Sequence, residues 1–146
     1  MSSRGPMYNS AGYKDMTAFI AIEKADRELE KKARKKGEYP KVYICSPFKG
    51  DKGANAEKAK RYCRFAFDRK KRPVAPHCFY PLFMDDDIPE ERRLAMSFGA
   101  DDLKHCEELW IFGNKISEGM KEEIRAARKM HIKLRHFNED MEEIIY

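Results

Sequence analysis

The sequence predicts an α/β domain, a Rossmann- or flavodoxin-like parallel sheet with helices on both faces, preceded by an extra N-terminal helix. Three observations predict it. The runs "KVYIC" and "ELWIFG" are too uniformly apolar for half-exposed strands and read as central, buried ones. Segments with helical apolar spacing alternate with those runs, which favours parallel pairing. The 146 residues are the length of one ordinary domain, and 42% hydrophobic residues are enough for a single core.

Residues 1–13 are polar and glycine-bearing and read as a loose arm. Residues 14–36 read as a helix with an apolar stripe of Met16, Phe19, Ile20, Ile22, Ala25 and Leu29. The stripe is suited to pack on the domain or on a second subunit. Basic residues close this helix and Gly37 stops it. The first strand runs from Lys41 to about Cys45, and Pro47 and Gly50 turn the chain into a loop. Residues 53–71 form the next helix, with Ala56, Ala59, Cys63, Ala66 and Phe67 on one face. Its closing "RKKR" at 69–72 reads as compensation of the helix dipole at a solvated end.

Residues 73–83 contain a short second strand and then a Pro- and aromatic-rich loop. A helix starts at about Pro89, where proline followed by two glutamates is a start signal. "ELWIFG" (108–113) is the third strand. Helix 117–130 follows, with Met120, Ile124 and Ala127 on one face. Residues 131–137 form a fourth strand, and the tail forms a short helix or strand. The chain therefore divides into an arm and helix at 1–37 and an α/β domain at 38–146.

Composition excludes several functions. The 30 basic residues exceed the 25 acidic ones by only five, and both signs are mixed along the chain. No nucleic-acid surface is expected from that balance, although a small anionic ligand would suit it. No run of 18 apolar residues exists and the start lacks the apolar core of a secretory signal, so no membrane partner is expected. Cys45, Cys63, Cys78 and Cys106 form no C-x-x-C pair and read as free thiols of a reducing cytoplasm. The adjacent pairs His77-Cys78 and His105-Cys106 lack the spacing of a structural zinc site. The three aspartates at 85–87 read as a solvated turn rather than a divalent-ion site. Neither a metal nor an organic cofactor is expected.

In open parallel sheets, ligands bind beyond the carboxyl ends of the strands. Three loops must lie there: "SPFKGDKGAN", "PHCFYP" and "GNKISEGM". In the first, Ser46 and Lys49 are candidates to hold an anion together with backbone N–H groups, although the P-loop spacing is absent. The second brings His77 to the same end as a candidate substrate contact. In the third, Ser117 offers a hydroxyl and Gly119 a close backbone approach. Glu123 falls one or two turns into the helix, where the positive helix end is expected to keep its carboxylate ionised. An ionised carboxylate in a cleft is what a glycosyl-transfer nucleophile requires. The same spacing also describes a solvated acid at a helix start.

"KVYICSPF", "PVAPHCFYPLF", "DDLKHCEELWIFG" and "ISEGMKEEIRAA", in this order, resemble the nucleoside 2-deoxyribosyltransferase-like superfamily. The likeness covers roughly Lys41 to Phe137 and is strongest to small uncharacterised bacterial and phage domains of that group. It implies a flavodoxin- or Rossmann-like fold, usually dimeric or higher, acting on a nucleoside or a nucleoside 5′-monophosphate. The motif G-x-x-x-E-[LI]-G-x-A maps Gly119 onto its glycine and Glu123 onto the catalytic glutamate, with Glu122 as a neighbour. The resemblance further implies that Ser117 contacts a 5′-phosphate, Tyr43 orients the nucleophile, and Asp102 stands near the leaving base, with Asp101 as the fallback. Arg125 departs from the motif's second glycine, and "SPFKGD" is not the Gly-Ser-rich loop of the monophosphate N-glycosidases.

The expected function is cleavage or transfer at an N-glycosidic bond through Glu123. The alternative is a module that binds a nucleotide or ADP-ribose-type ligand without cleaving it. Arg125 favours that alternative, because an extra cation suits a polyanion. A third reading makes helix 14–36 a docking element for a partner.

Overall fold

The computed structural model describes residues 16–35 and 37–146. They fall into two compact units, one ending at Tyr39 and one spanning Pro40–Tyr146. The first unit holds helix α1 (Met16–Lys35). The arm expected at 1–13 lies outside the described residues. Of the expected stripe, the side chains of Ala25 and Leu29 are described, and both are exposed.

The second unit contains β1 (Lys41–Cys45), α2 (Lys52–Asp68), β2 (Arg72–Val74), α3 (Pro76–Phe79), α4 (Pro89–Lys104), β3 (Glu108–Phe112), α5 (Glu118–Lys129), β4 (Lys133–Phe137) and β5 (Glu143–Ile144). The five strands form one sheet in the order β2-β1-β3-β4-β5. The first four are parallel, and β5 pairs antiparallel with β4. This is the predicted α/β fold, and β1, β3 and β4 are its inner strands. The tail resolves to a strand.

Two local departures have simple causes. Helix α2 ends at Asp68, not at 71, because Lys70 adopts a left-handed backbone with φ of 62°. The basic run therefore makes the turn into β2 rather than the last helical turn. The loop expected after β2 instead folds into α3 and a 3₁₀ turn at Tyr80–Leu82. Pro76 opens α3 at a position whose N–H has no helical partner in any case.

Strand alternation divides the core. On one face Val42, Ile44, Trp110, Phe112 and Phe137 pack against Tyr62 and Ala66 of α2. Tyr62 stacks on Phe112 with ring centroids 4.3 Å apart, and Phe65 meets Trp110, Phe112 and Phe137 edge-on. Rings of this size contribute about 1.5–3 kcal/mol each by burial. On the other face Tyr43, Cys45, Leu109 and Ile111 pack against Leu103 of α4 and Met120 and Ala127 of α5. Helices therefore cover both faces, as the apolar character of β1 and β3 requires.

Candidate functional site

Chain order reverses between β1 and β3. β1 leads outward to β2, while β3 lies on its other side and leads to β4. A crevice opens at such a switch point beyond the strand ends. A cleft of about 470 Å³ occupies it. All three expected loops contribute to its walls: Ser46, Phe48 and Lys49 from the first, Pro76, His77 and Tyr80 from the second, Ser117 and Gly119 from the third. A fourth wall comes from the small-residue face of α4, with Ala95, Gly99, Ala100 and Leu103.

Glu123 lines the cleft from the second turn of α5. Tyr43, on the neighbouring strand β1, presents its hydroxyl to the Glu123 carboxylate. Cys45, two residues on and on the same face, brings its thiol 3.9 Å from Glu123 Oε1. Strand alternation makes this pairing: residues 43 and 45 must point to the same side. Burial raises the Tyr43 phenol and the Cys45 thiol well above their ordinary ranges, and the Glu123 charge raises them further. Both therefore stay protonated and serve as donors.

The Glu123 carboxyl is pushed up to about 7, chiefly by burial. The Tyr43 and Cys45 donors pull it down and the Glu122 charge pushes it up. This corrects the expectation that the helix end holds Glu123 ionised. The dipole acts within the first turn of a helix, and Glu123 sits in the second. Burial wins, and near neutral pH the group is divided between its charged and neutral forms.

Ser117 is the N-cap of α5, and its Oγ accepts from the Met120 N–H at 3.2 Å. It is therefore both a cap and a cleft residue. A Cβ at Gly119 would meet nothing within 4 Å, so this glycine leaves open space beside the helix start. Ser46 is buried, and its Oγ lies 2.8 Å from His77 Nε2. Burial lowers the His77 imidazole to about 4, so the ring is neutral at physiological pH. Its Nδ1 is buried without a hydrogen-bond partner.

Asp102 is not among the residues that line the cleft. Its Oδ2 accepts the Tyr80 hydroxyl at 2.7 Å, and Tyr80 does line the cleft. This bond raises the Tyr80 phenol to about 12. Arg125 is exposed and also lies outside the lining, so the feature cited for a polyanion-binding module is not part of the cleft. The sequence reading missed the α4 wall, Tyr80 and Cys45. The spacing of Ala95, Gly99 and Leu103 is the available signal for the first, and it is indistinguishable from ordinary core spacing.

Among the described residues no group of three or more His, Cys, Asp or Glu is placed to hold a metal ion. The four cysteines are free thiols. No described helix is long and apolar enough to cross a membrane.

Residues 40–137 match the family model described as a domain of unknown function (DUF7768). No curated protein matches the chain in sequence. Among solved structures, it is similar to a 2-deoxyribosyltransferase from the psychrotolerant bacterium Bacillus psychrosaccharolyticus. The TM-score is 0.54 at 19% identity, over 73% of this chain and 77% of that one. It is also similar to a 2-desoxiribosyltransferase from Leishmania mexicana, with a TM-score of 0.49 at 16% identity, over 68% of this chain and 64% of that one. The first comparison identifies the sheet and its helices as the fold of that 2-deoxyribosyltransferase.

Proposed function

We propose that this chain, which belongs to the DUF7768 family, cleaves or transfers at the N-glycosidic bond of a nucleoside or nucleoside 5′-monophosphate. The observation that carries the reading is Glu123, a cleft carboxylate at the β1/β3 switch point, faced by the Tyr43 hydroxyl and the Cys45 thiol. The shared fold with a 2-deoxyribosyltransferase supports it. In its ionised form Glu123 attacks the anomeric carbon and forms a glycosyl-enzyme ester. The departing base takes the bonding pair and one proton from solvent. Water or a second base then attacks the same carbon, gives up one proton to solvent and frees the carboxylate.

Tyr43 orients Glu123 and is the positioning residue. Asp102 acts toward the base through Tyr80, whose hydroxyl it holds. Ser46, Lys49, His77, Ser117 and Gly119 line the space for the sugar and its 5′ group. The enzyme works as a homo-oligomer in the cytoplasm and needs no cofactor for these steps.

The test is chromatographic detection of free base from a panel of nucleosides and 5′-monophosphates, with and without an acceptor base. Release by the wild type and its loss in Glu123→Ala are expected. Full turnover by Glu123→Gln on a confirmed substrate refutes the nucleophile.

A further inference from the structure

The chain as a whole has a formal charge of +5. Its cleft has the opposite sign. Six carboxylates line it, those of Asp85, Asp86, Glu91, Glu118, Glu122 and Glu123, against two cations, Lys49 and Arg92. Four of the six have local partners. Glu91 accepts from the Asp85 N–H, Asp85 from the Asp87 N–H, Glu118 pairs with Lys121, and Glu123 faces the Tyr43 hydroxyl and the Cys45 thiol. Asp86 and Glu122 have no ion-pair or hydrogen-bond partner among the described residues, and Asp86 is half-buried.

The walls also carry the rings of Phe48 and Tyr80. The Phe48 ring already accepts a cation, the Lys52 ammonium, 5.4 Å from its centre. Aromatic faces among carboxylates favour a flat organic cation. Independently of charge, the buried and unpartnered His77 Nδ1 sits on a residue of the same wall. Leaving that nitrogen unpaired costs free energy, but it is closed off from the cleft.

We infer that the cleft takes a nucleoside whose base carries a positive charge and whose sugar carries no 5′-phosphate; this rests on the N-glycosidic-bond reading above. A phosphate dianion beside these carboxylates is repelled, whereas a cationic base is drawn in. The chemistry also suits such a base. As the Glu123 oxygen bonds to the anomeric carbon, the C–N bond breaks and its electron pair passes to the ring nitrogen. That neutralises the cation, so the base leaves without taking up a proton. Water then displaces the carboxylate and releases one proton to solvent. The neutral product loses its attraction to the cleft.

The experiment is calorimetric titration of the full chain with 1-methyladenosine, nicotinamide riboside, adenosine and adenosine 5′-monophosphate, at low and high salt, with chromatography of each mixture for free base. The two cations are expected to bind about tenfold or more tighter than adenosine at low salt, with the monophosphate weakest. The gap should narrow at high salt, and also in Asp86→Asn/Glu122→Gln. Equal affinities, tighter monophosphate binding, or no binding by any of the four overturns the inference. Tight cation binding with no base released leaves the ligand class standing and removes the N-glycosidic-bond reading. Release from adenosine with no cation preference does the reverse.

Discussion

Replacing Glu123 by Gln tests the electrostatics of the cleft without any substrate. Burial holds the Glu123 carboxyl at about 7, against 4.5 for a solvated glutamate. At about 1.4 kcal/mol per pH unit, that gap amounts to about 3 kcal/mol. Below pH 4.5 the folded and unfolded chains both carry the proton, so nothing is lost. Between 4.5 and about 7 the unfolded chain releases its proton while the folded chain keeps it, and stability falls as pH rises. Above about 7 the buried group is charged and the whole penalty stands. Glutamine carries no charge at any of these values. Glu123→Gln should therefore match the wild type below pH 4.5 and exceed it by up to about 3 kcal/mol at pH 8. Urea unfolding followed by the fluorescence of Trp110, the single tryptophan, measures this. A stability difference that does not change with pH, or a variant weaker than wild type at pH 8, would refute the reasoning.

Three further outcomes follow from the geometry. Tyr43→Phe removes a donor that favours the ionised carboxylate, so the rising limb of the base-release pH profile should move alkaline by about one pH unit; a profile measured from pH 5 to 10 with an unmoved midpoint contradicts it. A Cβ at Gly99 would lie 3.7 Å from the Tyr43 hydroxyl, an ordinary contact, so Gly99→Ala should fold normally and gain up to about 1 kcal/mol of helix stability. Gly99→Leu should displace Tyr43 and weaken ligand binding severalfold by calorimetry, and equal binding by both variants counts against the α4 wall. Phe112→Ala, on the opposite face, should cost about 3–5 kcal/mol in urea unfolding while leaving the Glu123 titration seen by carboxyl NMR in place.

The fold was legible because its signals are strong and local. β1 and β3 are continuous apolar runs, and their bounds agree with the sequence reading to within a residue. The third loop was legible as a helix start because Ser117 is a cap by residue type. The ends of α2 were less so, since nothing in "RKKR" marks Lys70 as the left-handed residue. α3 hid behind two prolines that usually signal irregular chain. For the site, convergence of the three loops followed from topology, but the state of Glu123 did not. Position on the helix was readable, whereas burial against Tyr43 and Cys45 depends on packing across 78–80 residues of chain. The acidic sign of the cleft was hidden for the same reason. Asp86, Glu91 and Glu122 come from separate elements, and whole-chain charge points the other way.

The alternation along β1 has a practical meaning for anyone who alters this protein. Odd positions, Tyr43 and Cys45, touch the carboxylate, while even positions, Val42 and Ile44, touch only the aromatic layer under α2. The sheet thus acts as a partition between two compartments that share a backbone but few side chains. Libraries that repack Val42, Ile44, Tyr62 and Phe137 can raise thermal tolerance without touching Glu123, and selections on specificity can vary α4 without emptying the aromatic layer. A one-residue slip of β1 is the change that both compartments feel at once, because it would carry the phenol to the wrong side of the sheet.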